Sequence, residues 1–164
     1  METVSSDGVK IKGWFIYHDD PVKHKTIVYM HENEGNIGLR LDYFETVYHK
    51  LNANILTFEH TGYSRSEGHP TEKGIKKDAE AIAKFISDYG NINKRSIFLV
   101  GRSLSDAVLI YTAAKYPDLY SGVVLENTFT SIPKVVNEHF FFPKYLNGPI
   151  LNNFWNSIDL VSRI

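Results

Sequence analysis

Apolar residues along this chain follow two spacings, one typical of strands and one typical of helices. Between residues 8 and 17 they fall at about every second position, which predicts a half-buried strand. Residues 26–30 form a continuous apolar run rich in β-branched side chains, the pattern of a strand buried on both faces of a parallel sheet. After a polar loop at 31–38, helical spacing runs from Leu41 to Leu51.

The same succession of strand, loop and helix repeats twice further along the chain. Strands are predicted at 54–58 and 96–100, helices at 71–89 and 104–115, and one more buried strand at 122–125. This alternation predicts right-handed crossovers and a three-layer α/β sandwich, a mostly parallel sheet covered by helices on both faces. Ligands bind at the carboxyl ends of the strands in such sheets, so the loops after the buried strands are the places to look for chemistry.

One of these loops carries the sequence GlyArgSerLeuSer at 101–105, between a predicted strand and a predicted helix. A serine flanked by small residues in that context is typical of a nucleophile elbow. Ser103 would stand above the sheet edge, and the amide of Leu104 would lie in the first turn of the helix, where the helix dipole favours an oxyanion. A serine after a strand is also often only a helix cap, so these five residues alone leave both interpretations open.

Four blocks of sequence extend the pattern beyond the elbow, in this order: HENEGNIG, GYSRSEGHP, GRSL and ENTFTSI. Together they resemble the alpha/beta hydrolase domain-containing protein 13 family, which consists of serine hydrolases. The resemblance runs from about Glu2 to the end of the chain. It implies a single α/β-hydrolase domain over residues 1–164 that lacks the C-terminal strands of the fold.

By position, the resemblance implies that Ser103 is the nucleophile and that the amides of Leu104 and Asn33 form the oxyanion hole. It implies acyl transfer to water, with an ester or thioester as substrate, either a small acyl compound or an acylated protein or lipid. No cofactor and no metal is expected. His31 is expected to be a structural residue of the oxyanion loop, and Glu126 is expected to fix its own loop by hydrogen bonds.

Several positions depart from the family pattern. Ser105 and Asp106 stand where the family has small residues after the elbow leucine, and Glu32 and Glu34 replace the glycine and alanine of the oxyanion loop. Carboxylates near a developing oxyanion repel it, and a β-carbon in place of glycine can move the amide that should donate. Ser64 also replaces a glycine, which matters less.

The resemblance also places the acid and the histidine of the triad after two further strands, and the sequence ends at Ile164 before either. His139 is the one histidine after Ser103, but it lies in a segment like the variable cap of the family, which gives it no catalytic role. We therefore expect impaired hydrolase activity. The alternative, a non-catalytic binding or scaffold protein of the same fold, stays open.

Composition and missing motifs exclude several other kinds of site and function. The chain has no cysteine, which excludes disulfides, cysteine zinc sites and thiol nucleophiles. A net charge of -1 gives no attraction to nucleic acid, and no G-x-G-x-x-G motif follows the first strand. His18 and His24 lack fixed metal-ligand spacing. Without an apolar run of about 20 residues, the chain is expected to be soluble and cytoplasmic by default, although relatives in the family are often membrane-associated.

Two features of the sequence predict apolar surface that other structure should cover. The aromatic residues within 140–145, followed by Phe154 and Trp155, are either a lid over an acyl pocket or a surface that packs against missing structure, and we favour the second. The predicted strand at 122–125 would have an open edge, which predicts self-association.

Overall fold

The computed structural model describes residues 1–33, 35–134 and 154–164. The predictions that concern Glu34, His139 and the aromatic residues within 140–145 lie outside these ranges. The strands are β1 (Glu2–Val4), β2 (Lys10–Ile16), β3 (Lys25–Met30), β4 (Ala53–Phe58), β5 (Ile97–Arg102) and β6 (Gly122–Glu126). The helices are α1 (Leu41–Leu51), α2 (Glu72–Asp88) and α3 (Leu104–Lys115), with 3-10 turns at Pro21–Lys23, Ile37–Arg40, Ser157–Asp159 and Val161–Arg163.

The six strands form one sheet in the order β1-β2-β4-β3-β5-β6. The four strands from β3 to β6 run parallel, whereas β1 and β2 are antiparallel to their neighbours. The predicted mostly parallel sheet is therefore confirmed. Because Met30 pairs with both Phe58 and Gly101, and Arg102 pairs with Glu126, the carboxyl ends of four strands meet at one edge of the sheet.

Two apolar cores lie on the two faces of this sheet. Alternate residues of β3 serve each of them: Ile27 and Tyr29 pack in the core that contains Phe44 of α1, while Val28 and Met30 face the core formed with α2 and α3. Side chains of a strand alternate between the faces of a sheet. An uninterrupted apolar run at 26–30 is therefore what a three-layer sandwich requires of its central strand.

The edges of the sheet differ from the predictions. The last strand is present, but the prediction that it is buried is wrong: Val124 is 49% exposed. β6 pairs with β5 on one side and with no other strand of the described ranges. β1 was not predicted, since its three residues have no apolar periodicity and form a strand by pairing with Lys10–Lys12. β5 extends two residues beyond its predicted end, to Arg102.

Helix α2 begins at Glu72, one residue after its predicted start, and Thr71 is its N-cap. The Thr71 hydroxyl accepts the Gly74 N–H at 3.0 Å, which satisfies one of the unpaired amides of the first turn. Within the described part of the chain, none of the helices has the length and apolar character that a bilayer crossing requires.

Candidate active site

Ser103 occupies the turn between β5 and α3, with φ 59° and ψ -118°. A residue other than glycine rarely adopts a positive φ, and holding it there costs on the order of 1–3 kcal/mol. The surrounding backbone imposes this conformation. The Ser103 N–H donates to the Glu126 carbonyl, and the Ser103 carbonyl accepts the Asp106 N–H, both at 3.0 Å. The turn thus has the strained backbone expected of a nucleophile elbow.

Close packing of β5 against α3 depends on Gly101. A β-carbon at this position would lie 2.6 Å from the Ser105 Oγ and 2.8 Å from the Leu109 Cδ1. Ser105, which replaces a family glycine, is accommodated because its hydroxyl donates to the Arg102 carbonyl at 2.9 Å and accepts the Arg102 N–H at 2.7 Å. This departure from the family pattern therefore leaves the elbow intact.

The three predicted site residues line one cavity of about 380 Å³ at the carboxyl edge of the sheet. This volume lies within the range of small-molecule sites. The polar lining residues are Asn33, Tyr63, Glu72 and Ser103. The apolar lining residues are Pro70, Ile75, Leu104, Phe129, Ile132 and Trp155. Asn33 and Leu104 are 71 residues apart in the sequence, and the parallel sheet brings them to the same cavity.

The loop that carries Asn33 is tied to the neighbouring loop after β4. The Tyr63 hydroxyl donates to the Asn33 Oδ1 at 2.6 Å. The Ile37 N–H donates to the Glu59 Oε1 at 3.0 Å, in the interior. Both bonds join residues far apart in sequence, so the conformation of the loop that carries Asn33 depends on tertiary structure.

His31 lies beneath this loop and is 1% exposed. Its Nδ1 donates to the Glu32 carbonyl at 2.8 Å, and its Nε2 accepts the His60 N–H at 3.3 Å, with the Glu59 Oε2 also 3.3 Å away. Burial lowers the pKa of His31, although the nearby Glu59 and Glu32 oppose that effect. A neutral ring with both nitrogens engaged agrees with the structural role predicted for His31.

Sequence relatives cover nearly the whole chain. It is 34% identical over 171 residues to the alpha/beta hydrolase domain-containing protein WAV2 of Arabidopsis thaliana, covering 98% of this chain and 56% of WAV2. It is 30% identical over 165 residues to the protein bem46 of Schizosaccharomyces pombe, covering all of this chain and 55% of bem46. No protein-family model matches. The chain thus spans just over half the length of these curated relatives.

Solved structures share the fold. An α-β hydrolase from Vibrio vulnificus superposes with a TM-score of 0.79 at 20% identity, covering 100% of this chain and 59% of that structure. The Pyrococcus furiosus esterase Pf2001 superposes with a TM-score of 0.72 at 20% identity, covering 100% of this chain and 64% of the esterase. The chain belongs to the α/β-hydrolase family. The family resemblance and the fold predicted from the sequence are thereby confirmed.

Asp106 sets this α/β hydrolase apart from the family pattern. Its side chain is completely buried, and no described residue forms a hydrogen bond of ordinary geometry with either carboxylate oxygen. Burial raises the pKa of Asp106 to about 6, although the backbone of Glu126 and Ser103 acts in the opposite direction. A carboxyl group that titrates near neutral pH therefore lies directly beside the elbow.

Glu32, the other acidic replacement that the structure describes, is compensated. Its carboxylate forms an ion pair with Arg40 and accepts a hydrogen bond from the Arg40 Nε at 3.2 Å. The Tyr29 hydroxyl donates to the same carboxylate at 3.3 Å. Because a paired charge acts less strongly on its surroundings, the repulsion expected from Glu32 is reduced.

Sequence reasoning missed the role of Glu72 and favoured the wrong interpretation of Trp155. Trp155 is 3% exposed and lines the cavity, so it does not belong to an uncovered surface, whereas Phe154 is 45% exposed. Glu72 accepts hydrogen bonds from the backbone of Phe154 and Trp155, more than 80 residues away. The aromatic character of 154–155 was the available signal, but no local pattern indicates its partner.

The histidines that were considered as metal ligands form a stack. The His18 ring lies 4.3 Å from the His24 ring and 3.9 Å from the Tyr48 ring, measured between centroids. In the described ranges, no group of three or more potential ligand residues is placed to hold a metal ion.

Proposed function

We propose that this α/β hydrolase is a serine hydrolase that cleaves ester or thioester bonds, with Ser103 as its nucleophile. The observation that carries the proposal is the position of Ser103, in a strained turn between strand and helix that opens into a cavity shared with Leu104 and Asn33. Proteins of the same fold include the esterase Pf2001 and the Est1E protein of Butyrivibrio proteoclasticus with bound ferulic acid.

The chemistry would proceed in two steps. The Ser103 Oγ attacks the acyl carbon and passes its proton to a base, while the amides of Leu104 and Asn33 donate to the carbonyl oxygen as it gains negative charge. The alcohol or thiol leaves with a proton, and water then hydrolyses the acyl-enzyme. The substrate would be a small acyl compound or an acylated protein or lipid.

This mechanism requires a base that accepts the Ser103 proton. No histidine is among the described residues that line the cavity. A serine without its base loses most of its activation and keeps only the contributions of binding and the oxyanion hole. This observation, together with the buried Asp106 carboxyl, supports impaired turnover or the second candidate function, a non-catalytic binding or scaffold protein.

Labelling with a fluorophosphonate probe tests the proposal. We expect the wild-type chain to be labelled and Ser103→Ala to be unlabelled, because the probe requires an activated serine beside an oxyanion hole. Ser87→Ala, which removes an exposed serine of α2, is the matched control and should be labelled like wild type. A folded chain that shows no labelling dependent on Ser103 would overturn the enzymatic proposal in favour of the binding role.

Among the described residues, β6 pairs with another strand on one side only, and its other edge supports a proposal about partners, namely a second copy of this chain. The strand GVVLE carries one charge, at its end, and no proline, so it lacks the features that protect edge strands from pairing. We expect a dimer in sedimentation velocity that Val124→Lys weakens, with the exposed Val22→Lys as control. A monomer at high concentration would contradict this proposal.

A further inference from the structure

One wall of the cavity is built from the far end of the described chain. The segment 154–164 returns to the carboxyl edge of the sheet, where the Trp155 indole joins the apolar lining beside Ile75 and Ile132. The same indole packs in the core formed by α2 and α3. Trp155 is thus part of the interior and part of the cavity surface at once.

Glu72, at the start of α2, fixes the backbone of this wall. Its Oε2 accepts the Phe154 N–H at 2.7 Å and the Trp155 N–H at 3.1 Å. Its Oε1 accepts from the Lys76 Nζ at 2.5 Å, and that ammonium lies 5.3 Å from the centre of the Trp155 ring. Burial alone would raise the pKa of Glu72, but these hydrogen bonds lower it below its usual range. The carboxylate therefore stays ionised and keeps its partners at neutral pH.

A second set of bonds joins the wall to the segment after β6. The Ile132 N–H donates to the Phe154 carbonyl at 3.0 Å, and the Ser157 N–H donates to the Thr130 carbonyl at 2.9 Å. Trp155 itself has φ 43°, a conformation that a large side chain adopts only when its surroundings impose it. The bonds on both sides of Trp155 supply that constraint, so the indole is held in place at the cavity.

The lining indicates what this wall can contact. Six of the ten described lining residues are apolar, none carries a positive charge, and Glu72 carries a negative one. An uncharged apolar chain suits this lining, whereas a carboxylate would meet Glu72 without a cation in the lining to pair with. Ser103 opens into the same cavity, so a chain lying along the wall could present its carbonyl to that serine.

We propose that Trp155 is a specificity-determining residue, the wall of a pocket that binds the uncharged apolar acyl chain of the substrate and limits its length. The hydrolysis of that substrate rests on the proposed function. The binding of the chain does not, since it needs only the cavity.

Fluorescence of Trp155 tests binding apart from catalysis. The chain has two tryptophans, Trp14 and Trp155, so Trp14→Phe leaves Trp155 as the one indole reporter. In the double variant Trp14→Phe, Ser103→Ala, alkyl methyl ketones of 4 to 12 carbons should change the emission in a saturable manner. Affinity should rise about fourfold per methylene until the cavity is filled. A response independent of chain length, or none at all, would overturn the proposal.

Substitution of the wall tests specificity. Trp155→Ala should raise the ratio of kcat/KM for p-nitrophenyl octanoate over acetate by roughly tenfold or more, while Trp155→Phe should change it less. If Trp155→Ala fails to fold, Glu72→Gln provides the second variant, because it weakens the hold on Trp155 without removing the indole. It should broaden the preferred chain length.

The two proposals fail in different ways. If the ketones bind saturably but no hydrolysis depends on Ser103, the acyl pocket is supported and the enzymatic proposal is refuted. Hydrolysis that depends on Ser103, with a chain-length profile unchanged in Trp155→Ala and Glu72→Gln, would refute the role of Trp155 and leave the enzyme standing.

Discussion

Asp78 and Asp106 are both completely buried, but they lie in opposite environments. The Asp78 Oδ2 accepts the Thr61 N–H at 2.6 Å, and its Oδ1 accepts the Thr61 hydroxyl at 2.7 Å. The Asp106 carboxylate oxygens accept no hydrogen bond of ordinary geometry from any described residue. Burial raises the pKa of both carboxyl groups, and the hydrogen bonds from Thr61 oppose that rise at Asp78.

We infer from this difference that the Asp78 carboxyl group stabilises the fold, whereas the Asp106 carboxyl group destabilises it. Asp78 joins α2 to the loop after β4, beside the ring of His60, whose pKa burial holds well below its usual value. Asp106 lies in the first turn of α3, next to Ser103. Buried polar groups in native proteins are nearly always satisfied, and exceptions concentrate at functional sites. The contrast therefore predicts that removing Asp78 harms the fold, whereas removing Asp106 improves it.

The largest expected effect is on stability at Asp78. Asp78→Ala should lower the free energy of unfolding by about 3 kcal/mol, because it leaves the buried Thr61 amide and hydroxyl without their acceptor. Urea denaturation measures the change, with the exposed Asp88→Ala as control, expected within about 0.5 kcal/mol of wild type. A loss below about 1 kcal/mol would mean that the bonds to Thr61 are replaceable.

A smaller effect, of opposite sign and dependent on pH, is expected at Asp106. Its folded pKa of about 6 exceeds the unfolded value of 3.8, so ionisation destabilises the folded state. That penalty is absent below the unfolded pKa, grows between the two values and is complete above the folded pKa. The difference between the two pKa values sets an upper limit of about 3 kcal/mol on this penalty. Asp106→Asn should therefore be more stable than wild type by somewhat less than that at pH 7.5 and nearly equal to it at pH 4.

Urea denaturation at the two pH values checks this difference. Asp88→Asn, at an exposed position, provides the control for a charge change alone. An advantage of Asp106→Asn that is the same at both pH values would contradict the assignment of the effect to ionisation.

The next prediction concerns reactivity at Ser103. Asp106→Gly should increase the rate of fluorophosphonate labelling about tenfold at pH 8, since it removes a buried negative charge in the same turn of chain as Ser103, where negative charge develops during the reaction. At pH 5, where the carboxyl is largely protonated, the two rates should nearly coincide. Labelling time courses at both pH values provide the measurement, and a rate that falls at pH 8 would show that Asp106 assists the elbow.

The smallest effect is expected at Glu32, whose carboxylate forms an ion pair with Arg40. Arg40→Ala leaves Glu32 without its ion pair and should slow labelling about threefold, through the unpaired charge near the oxyanion loop. The double variant Arg40→Ala, Glu32→Gly should recover the lost rate. If the double variant does not recover the labelling rate, Arg40 acts on the loop by packing alone.

Local sequence predicted most of the elements because their patterns are local. The run at 26–30 indicated a strand buried on two faces, and both cores receive its side chains. The helix at 104–115 has its predicted bounds, and Ser103 is the one residue between the end of β5 and the start of α3. Errors occurred where pairing with a distant strand determines the element, as for β1 and for the extension of β5 to Arg102 opposite Glu126.

By itself, the sequence determined the alternation of strands and helices, the position of Ser103 between a strand and a helix, and the family to which the chain belongs. The tertiary structure decided which distant residues share the cavity, how Glu72 holds Trp155, and that Asp106 is buried without the partners that Asp78 has. The physical reason is the distance along the chain over which each effect acts. Periodicity and turn chemistry act over a few neighbouring residues, whereas burial and hydrogen-bond satisfaction depend on what the folded sheet brings together.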